Sequence, residues 1–205
     1  FSDITACLNS ITQKTKMVSF HGPMLVSNKN GPIDFNMRIM QQVLSGTSDM
    51  IIDTPKESPA HILKSGAGKG PLWGGNMTLL INRLGTKDNI NTDGVILFLE
   101  DINEYLYSFE RMLIHMKNAG MFDKIVGLVF GELKDLKEED IPFGKSSDEI
   151  IMDICGELEI PIVSNYPCGH GKYQATLPIS IPAELNANDH KPYLTILESA
   201  VSKDE

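Results

Sequence analysis

The chain has 205 residues, 41% of them hydrophobic and 22% charged, enough to bury the core of one large domain or of one domain and part of another. A formal charge of −9, with 18 scattered lysines and arginines, argues against nucleic acid as a partner, and no window approaches the run of about 18 apolar residues that spans a bilayer. No basic segment followed by an apolar core opens the chain. The odd set Cys7, Cys155 and Cys168, without C-x-x-C spacing, fits neither a disulfide framework nor a zinc knuckle, so a reducing, cytoplasmic compartment is expected.

Ile4, Cys7, Leu8 and Ile11 recur at helical spacing, which predicts an amphipathic helix whose first turn begins at Ser2 and Asp3. Val18 to Phe20 reads as a short strand running into the turn His21-Gly22-Pro23, and a second helix is expected over 34–45. Residues 54–75 carry Pro55, Pro59, Gly66, Gly68, Gly70, Pro71, Gly74 and Gly75, too many breakers for a helix or a central strand, so a linker or lid-like loop is predicted. Asn76 then opens a helix through Met77, Leu80, Ile81 and Leu84 that stops at Gly85. Val95 to Leu99 is a continuous apolar run, the pattern of a strand buried on both faces, and it delivers Glu100 and Asp101 at its end.

A helix with Leu106, Phe109, Leu113 and Met116 on one face follows, then a second buried strand from Ile125 to Phe130. Ser147 reads as the N-cap of a helix through Ile150, Ile154 and Leu158. A third strand, Ile160 to Val163, leads into the loop Asn165-Tyr166-Pro167-Cys168-Gly169-His170-Gly171. Between Leu177 and Leu197 three prolines separate short apolar pieces, the pattern of edge strands and turns. Alternating strands and helices indicate an α/β protein.

In α/β proteins functional groups gather where strands end, which singles out Ser2 at a helix start, Glu100 after a buried strand and His170 in a glycine-flanked loop. A serine hydroxyl becomes nucleophilic when a histidine takes its proton, and a carboxylate on the other imidazole nitrogen fixes the tautomer. The N–H of Asp3 is the candidate oxyanion donor. Each residue also has a plain reading: Ser2-Asp3 as a helix cap, Glu100 as a strand-end charge, Asp101 as the cap of the next helix and His170 as a loop histidine. Cys168 near His170 reads as an ordinary loop cysteine. His21 is a second possible base, while His61, His115 and His190 read as solvated. No His, Cys and carboxylate cluster has metal spacing, so neither metal nor cofactor is expected.

The strings Ser2-Asp3-Ile4-Thr5-Ala6, His21-Gly22-Pro23, Gly70-Pro71-Leu72-Trp73-Gly74-Gly75-Asn76, Gly85-Thr86, Leu97-Phe98-Leu99-Glu100-Asp101 and Gly169-His170 stand in the order of the LD-carboxypeptidase family, which the whole chain resembles. The resemblance implies a serine carboxypeptidase with Ser2 as nucleophile, Glu100 orienting the histidine and His170 as general base. It implies the end of a Rossmann-like N-terminal domain over residues 1–46, a linker over 47–75, and a C-terminal α/β domain over 76–205 with a mixed or barrel-like sheet. The substrate it implies is a murein tetrapeptide losing its terminal D-alanine in cell-wall recycling. The alternatives are a microcin-immunity-type hydrolase of aminoacyl nucleotides and a non-catalytic remnant of the fold. A homodimer, and an upstream segment of the same protein completing the oxyanion hole, are also implied. Arg38, Lys69, Arg83 and Arg111 are all candidates for the substrate carboxylate. Two departures stand out. Ser180 occupies a place where a glycine is common, and the stretch from Asp49 to Gly70 is short and lacks the tryptophan of the microcin-immunity branch.

Overall fold

The computed structural model describes residues 2–24 and 31–202. Its elements in chain order are α1 (Ile4–Thr15), β1 (Phe20–His21), α2 (Asp34–Leu44), β2 (Met50–Ile52), β3 (His61–Lys64), β4 (Ala67–Asn76), α3 (Met77–Ile81), β5 (Ile96–Glu100), α4 (Leu106–Asn118), β6 (Gly127–Gly131), α5 (Ser147–Cys155), β7 (Ile162–Tyr166), β8 (Leu177–Pro178), β9 (Pro182–Asn186) and β10 (Tyr193–Ile196). Eight strands form one mixed sheet in the order β2-β10-β9-β4-β5-β6-β7-β3, and β1 pairs with β8 beside it. The expected α/β class with a mixed sheet is what the chain adopts, and among the described residues the sheet does not close into a barrel.

The centre of the sheet is parallel: β4, β5, β6 and β7 run side by side, with β9 and β3 antiparallel on their flanks. Parallel strands covered on both faces read as unbroken apolar runs, and β5 obeys this with all five residues buried. Successive side chains point to opposite faces of a strand. Ile96 and Phe98 accordingly join the apolar layer of α2, β9 and β10, while Leu97 and Leu99 join that of α3, α4 and α5.

Residues 61–75, read from the sequence as part of a breaker-rich loop, instead supply β3 and, with Asn76, the ten-residue β4. The N-terminal half of β4 pairs antiparallel with β9 and its C-terminal half parallel with β5, so this one strand joins the two parts of the sheet. Its glycines are spacers. A methyl group on Gly68, Gly70 or Gly74 would overlap the carbonyl oxygen of Val126, Gly94 or Phe98 respectively. Pro71 is tolerated because it lies where β4 changes partner, opposite Pro182 at the first residue of β9. β9 and β10 also differ from expectation, lying inside the sheet rather than at an edge. The N-cap of α5 is Ser146, one residue before the expected Ser147, closed by a capping box with Glu149. Ser180 adopts φ +73°, the left-handed geometry that makes a glycine common there.

Candidate active site

The parity of β5 decides what its two terminal acids do. Glu100 continues the face of Ile96 and Phe98, and Asp101 continues that of Leu97 and Leu99. Asp101 accepts hydrogen bonds from Asn76 Nδ2 (3.0 Å), Thr78 N (3.1 Å), Thr78 Oγ1 (2.9 Å) and Ile102 N (2.9 Å). Asn76 Oδ1 accepts from Leu79 N (3.2 Å). Asp101 is therefore a structural clamp on the start of α3, the preceding helix rather than the next one.

Glu100 is fully buried and its Oε2 lies 2.7 Å from Nδ1 of His170, whose side chain is 14% exposed. A carboxylate at Nδ1 keeps the proton on that nitrogen and leaves Nε2 as the basic atom. The loop carrying His170 is fixed on several sides. Ala175 N donates to Pro167 O (2.6 Å), Gln174 Nε2 to Gly171 O (2.9 Å), Gln174 N to Asn36 Oδ1 (2.7 Å) and Asn36 Nδ2 to Lys172 O (3.2 Å), so α2 serves as the loop's buttress. Gly169 has φ +96°, and a methyl there would lie 2.6 Å from Glu100 Oε2.

Ser2 precedes α1 in the left-handed region, φ +59°, a conformation that costs a non-glycine residue energy and marks sharp turns at functional sites. Its carbonyl accepts from Thr5 N (2.9 Å). Asp3 is the N-cap by position, yet its side chain makes no cap hydrogen bond. The first amides of a helix have no acceptor within the helix, which leaves the Asp3 region suited to hold an anion.

The start of α1 is docked on the end of β4. Asn76 N donates to Thr5 Oγ1 (3.1 Å), and Asn9 Nδ2 donates to Gly74 O and Thr5 O (2.9 Å each). Asn76 is the register partner of Glu100 in the parallel β4–β5 pair. Ser2 thus leads into a helix anchored one strand from the Glu100–His170 pair. The face of α1 that packs is Thr5, Ala6, Asn9 and Thr12, whereas Ile4 and Ile11 of the expected apolar stripe are about half exposed.

His21 is buried and meets Phe98 edge-on, ring centroids 5.1 Å apart. Burial above all pushes its pKa well below 6.5, so it is neutral at neutral pH. Cys168 is buried beside Glu100, and burial followed by that carboxylate raises its thiol pKa strongly, as an inert core cysteine requires. The four candidate cations are dispersed. Arg38 pairs with Asp53 (3.3 Å), Arg111 lies over Tyr107, Lys69 pairs in register with Glu184, and Arg83 lies between α1 and α3. The supporting residues Thr5, Asn9, Asn36 and Gln174 escaped sequence reasoning. Their one signal was being polar at positions a helix or loop would bury.

The family model for the LD-carboxypeptidase C-terminal domain matches residues 69–185, the stretch that contains Glu100 and His170. The chain belongs to this family. A probable murein peptide carboxypeptidase of Bacillus subtilis is 28% identical over 209 residues, 99% of this chain and 63% of that protein. The muramoyltetrapeptide carboxypeptidase of Oxalobacter formigenes, a solved structure, is 30% identical, with a TM-score of 0.82 over 96% of this chain and 67% of its own. The microcin C7 self-immunity protein MccF of Escherichia coli is 25% identical over 226 residues, 95% of this chain and 64% of that protein. The chain thus spans less than two thirds of the length of these two curated relatives. Among the described residues no helix is long and apolar enough to cross a membrane, and no group of three or more His, Cys, Asp or Glu is placed to hold a metal ion.

Proposed function

We propose that this LD-carboxypeptidase acts as a serine hydrolase, with Ser2, His170 and Glu100 as its triad, and releases terminal D-alanine from murein tetrapeptide. The observation that carries the reading is the 2.7 Å contact between His170 Nδ1 and the buried Glu100 carboxylate at the C-terminal ends of parallel strands. The left-handed Ser2, leading into a helix docked on the adjacent strand end, supports it. In the first half-reaction His170 Nε2 takes the Ser2 proton as Oγ attacks the carbonyl of the L-centred residue. The Asp3 N–H stabilises the oxyanion, and the imidazolium, held by Glu100, protonates the departing D-alanine amine. Water then attacks the acyl-enzyme with the same histidine as base.

The peptide reading is preferred over an aminoacyl nucleotide because the stretch from Asp49 to Gly70 is folded into β2, β3 and the start of β4. The single tryptophan, Trp73, lies within β4, packed against both apolar layers rather than in that stretch. A homodimer belongs to the same reading and is checked by sedimentation of the full-length protein.

The test is turnover of the full-length protein. Ser2→Ala and His170→Ala should each lower D-alanine release from tetrapeptide by about 10³- to 10⁶-fold without loss of folding. Retained activity in either variant removes the triad. Preferential cleavage of an aminoacyl nucleotide would replace the peptide substrate, and failure of a serine-directed phosphonate to label Ser2 would favour a non-catalytic fold.

A further inference from the structure

The buried face of α2 consists of Asn36, Ile39 and Val43, three positions at helical spacing of which the first alone is polar. Asn36 is 1% exposed. A side-chain amide buried on an apolar helix face costs free energy unless its donor and acceptor are both used. Here both are used, and on one short stretch of backbone: Oδ1 accepts from Gln174 N (2.7 Å) and Nδ2 donates to Lys172 O (3.2 Å). A leucine at position 36 would suit the face and make neither bond.

The residue beside Asn36 holds the same stretch. The Phe35 ring meets that of Tyr173 edge-on, with centroids 5.8 Å apart and planes at 85°. Lys172 in turn lies over Tyr173 at 5.0 Å, and Arg38 over Phe35 at 5.5 Å. Residues 172, 173 and 174 are thus each held by the first turn of α2, and they begin two residues after His170.

The two members of the Glu100–His170 pair meet by separate routes. Glu100 ends β5, whose Ile96 and Phe98 are fixed in the apolar layer that also contains Ile39 and Val43. His170 lies in residues 167–176, the connection between β7 and β8. The bonds from Ala175 N to Pro167 O and from Gln174 Nε2 to Gly171 O are internal to that connection and set its shape. The Asn36 bonds cross to another element and set where the connection stands relative to the sheet.

We infer that Asn36 is a positioning residue: through the backbone of residues 172–174 it holds the imidazole of His170 against Glu100. The inference rests on the serine-hydrolase reading above, which gives His170 its role. A residue acting in this way governs turnover rather than substrate affinity, and its effect depends on the Glu100 carboxylate being present to receive the histidine.

The experiment takes two readouts from the full-length protein. The first needs no catalysis: the proton NMR signal of His170 Nδ1–H, moved downfield by its carboxylate acceptor and identified by its loss in Glu100→Gln. Asn36→Leu should abolish this signal. Asn36→Asp, which keeps an acceptor for Gln174 N and loses the donor to Lys172 O, should move it upfield. The second readout is kinetic. Asn36→Leu should lower kcat by about 10²-fold, the cost of a misplacement of about 1 Å, and leave KM within about 3-fold. In a Glu100→Gln background the same change should cost less than about 10-fold, because groups that act as a unit are not additive. Thermal melting reports folding, and Asn36→Asp carries the same readouts where the leucine variant does not fold. An unmoved Nδ1–H signal in a folded Asn36 variant overturns the inference. So does a raised KM with kcat unchanged, or the full loss repeated in the Glu100→Gln background. Wild-type protein that releases no D-alanine, while the NMR signal responds as expected, overturns the serine-hydrolase reading and leaves the hold of Asn36 on His170 standing.

Discussion

Replacing Glu100 with glutamine keeps the length and shape of the side chain and removes one charge, and the structure assigns opposite consequences to stability and turnover. Glu100 is completely buried. Its Oε2 has His170 at 2.7 Å, but its Oε1 has no hydrogen-bond partner among the described residues. Desolvating a carboxylate costs several kcal/mol, and one charge-assisted hydrogen bond returns about 1.5–3 kcal/mol. Glutamine avoids most of the desolvation. Glu100→Gln should therefore melt at or above the wild-type temperature, by about 2–4 °C if the net gain is near 1 kcal/mol. The same change frees the imidazole to adopt either tautomer and withdraws the charge that stabilises imidazolium, so kcat should fall by about 10³- to 10⁴-fold. Calorimetry and a D-alanine release assay on the full-length protein read the two effects separately. Turnover within 10-fold of wild type would remove Glu100 from the mechanism, and a clear loss of stability would show that the buried carboxylate is a structural member instead.

Gly169→Ala should act on the same pair from the backbone side. With φ +96° and the new methyl 2.6 Å from Glu100 Oε2, it should cost about 1–3 kcal/mol of stability and about 10²-fold in turnover, and unaltered kinetics would refute the tight packing of the His170 loop. His21 sets a pH dependence. Its folded pKa is depressed below 6.5 by burial, so below that pH the unfolded chain binds a proton that the folded chain excludes. Stability should then decline as pH drops from about 6.5, with a slope approaching about 1.4 kcal/mol per pH unit from this residue. Denaturation of His21→Leu across the same window should show a shallower slope, and an unchanged slope would mean that the histidine is already protonated in the fold.

The parts of the molecule most legible in the sequence are those where one physical effect dominates. Residues 95–99 announce a strand because burial on both faces demands an unbroken apolar run, and the strand's end locates Glu100 without further information. The division of labour between Glu100 and Asp101 was equally available from parity, since residues of a strand alternate in facing. What the pattern concealed was β4. Glycine and proline normally mark loops, and only the approach of three carbonyl oxygens from neighbouring backbone explains why a central strand needs Gly68, Gly70 and Gly74. The apolar spacing of Ile4, Cys7, Leu8 and Ile11 announces the helix α1, but not the polar, short-range bonds of Thr5 and Asn9 that dock it on β4.

The small residues at the end of β4 also govern how α1 is placed. A helix can approach a strand end closely only if the contact residues on both sides are small. Gly75 supplies one side, since a methyl there would lie 2.5 Å from Thr5 Cγ2, and Thr5, Ala6 and Asn9 supply the other. Close approach then lets Thr5 Oγ1 accept from Asn76 N and lets Asn9 donate to Gly74 O, two directional bonds that fix both the rotation and the height of α1 on the sheet. Leucines at these positions would bury more area but hold the helix farther out, and would specify neither. The nucleophile proposed at Ser2, three residues before Thr5, would gain from that fixed position, because misplacement by about 1 Å costs on the order of 10²-fold in rate.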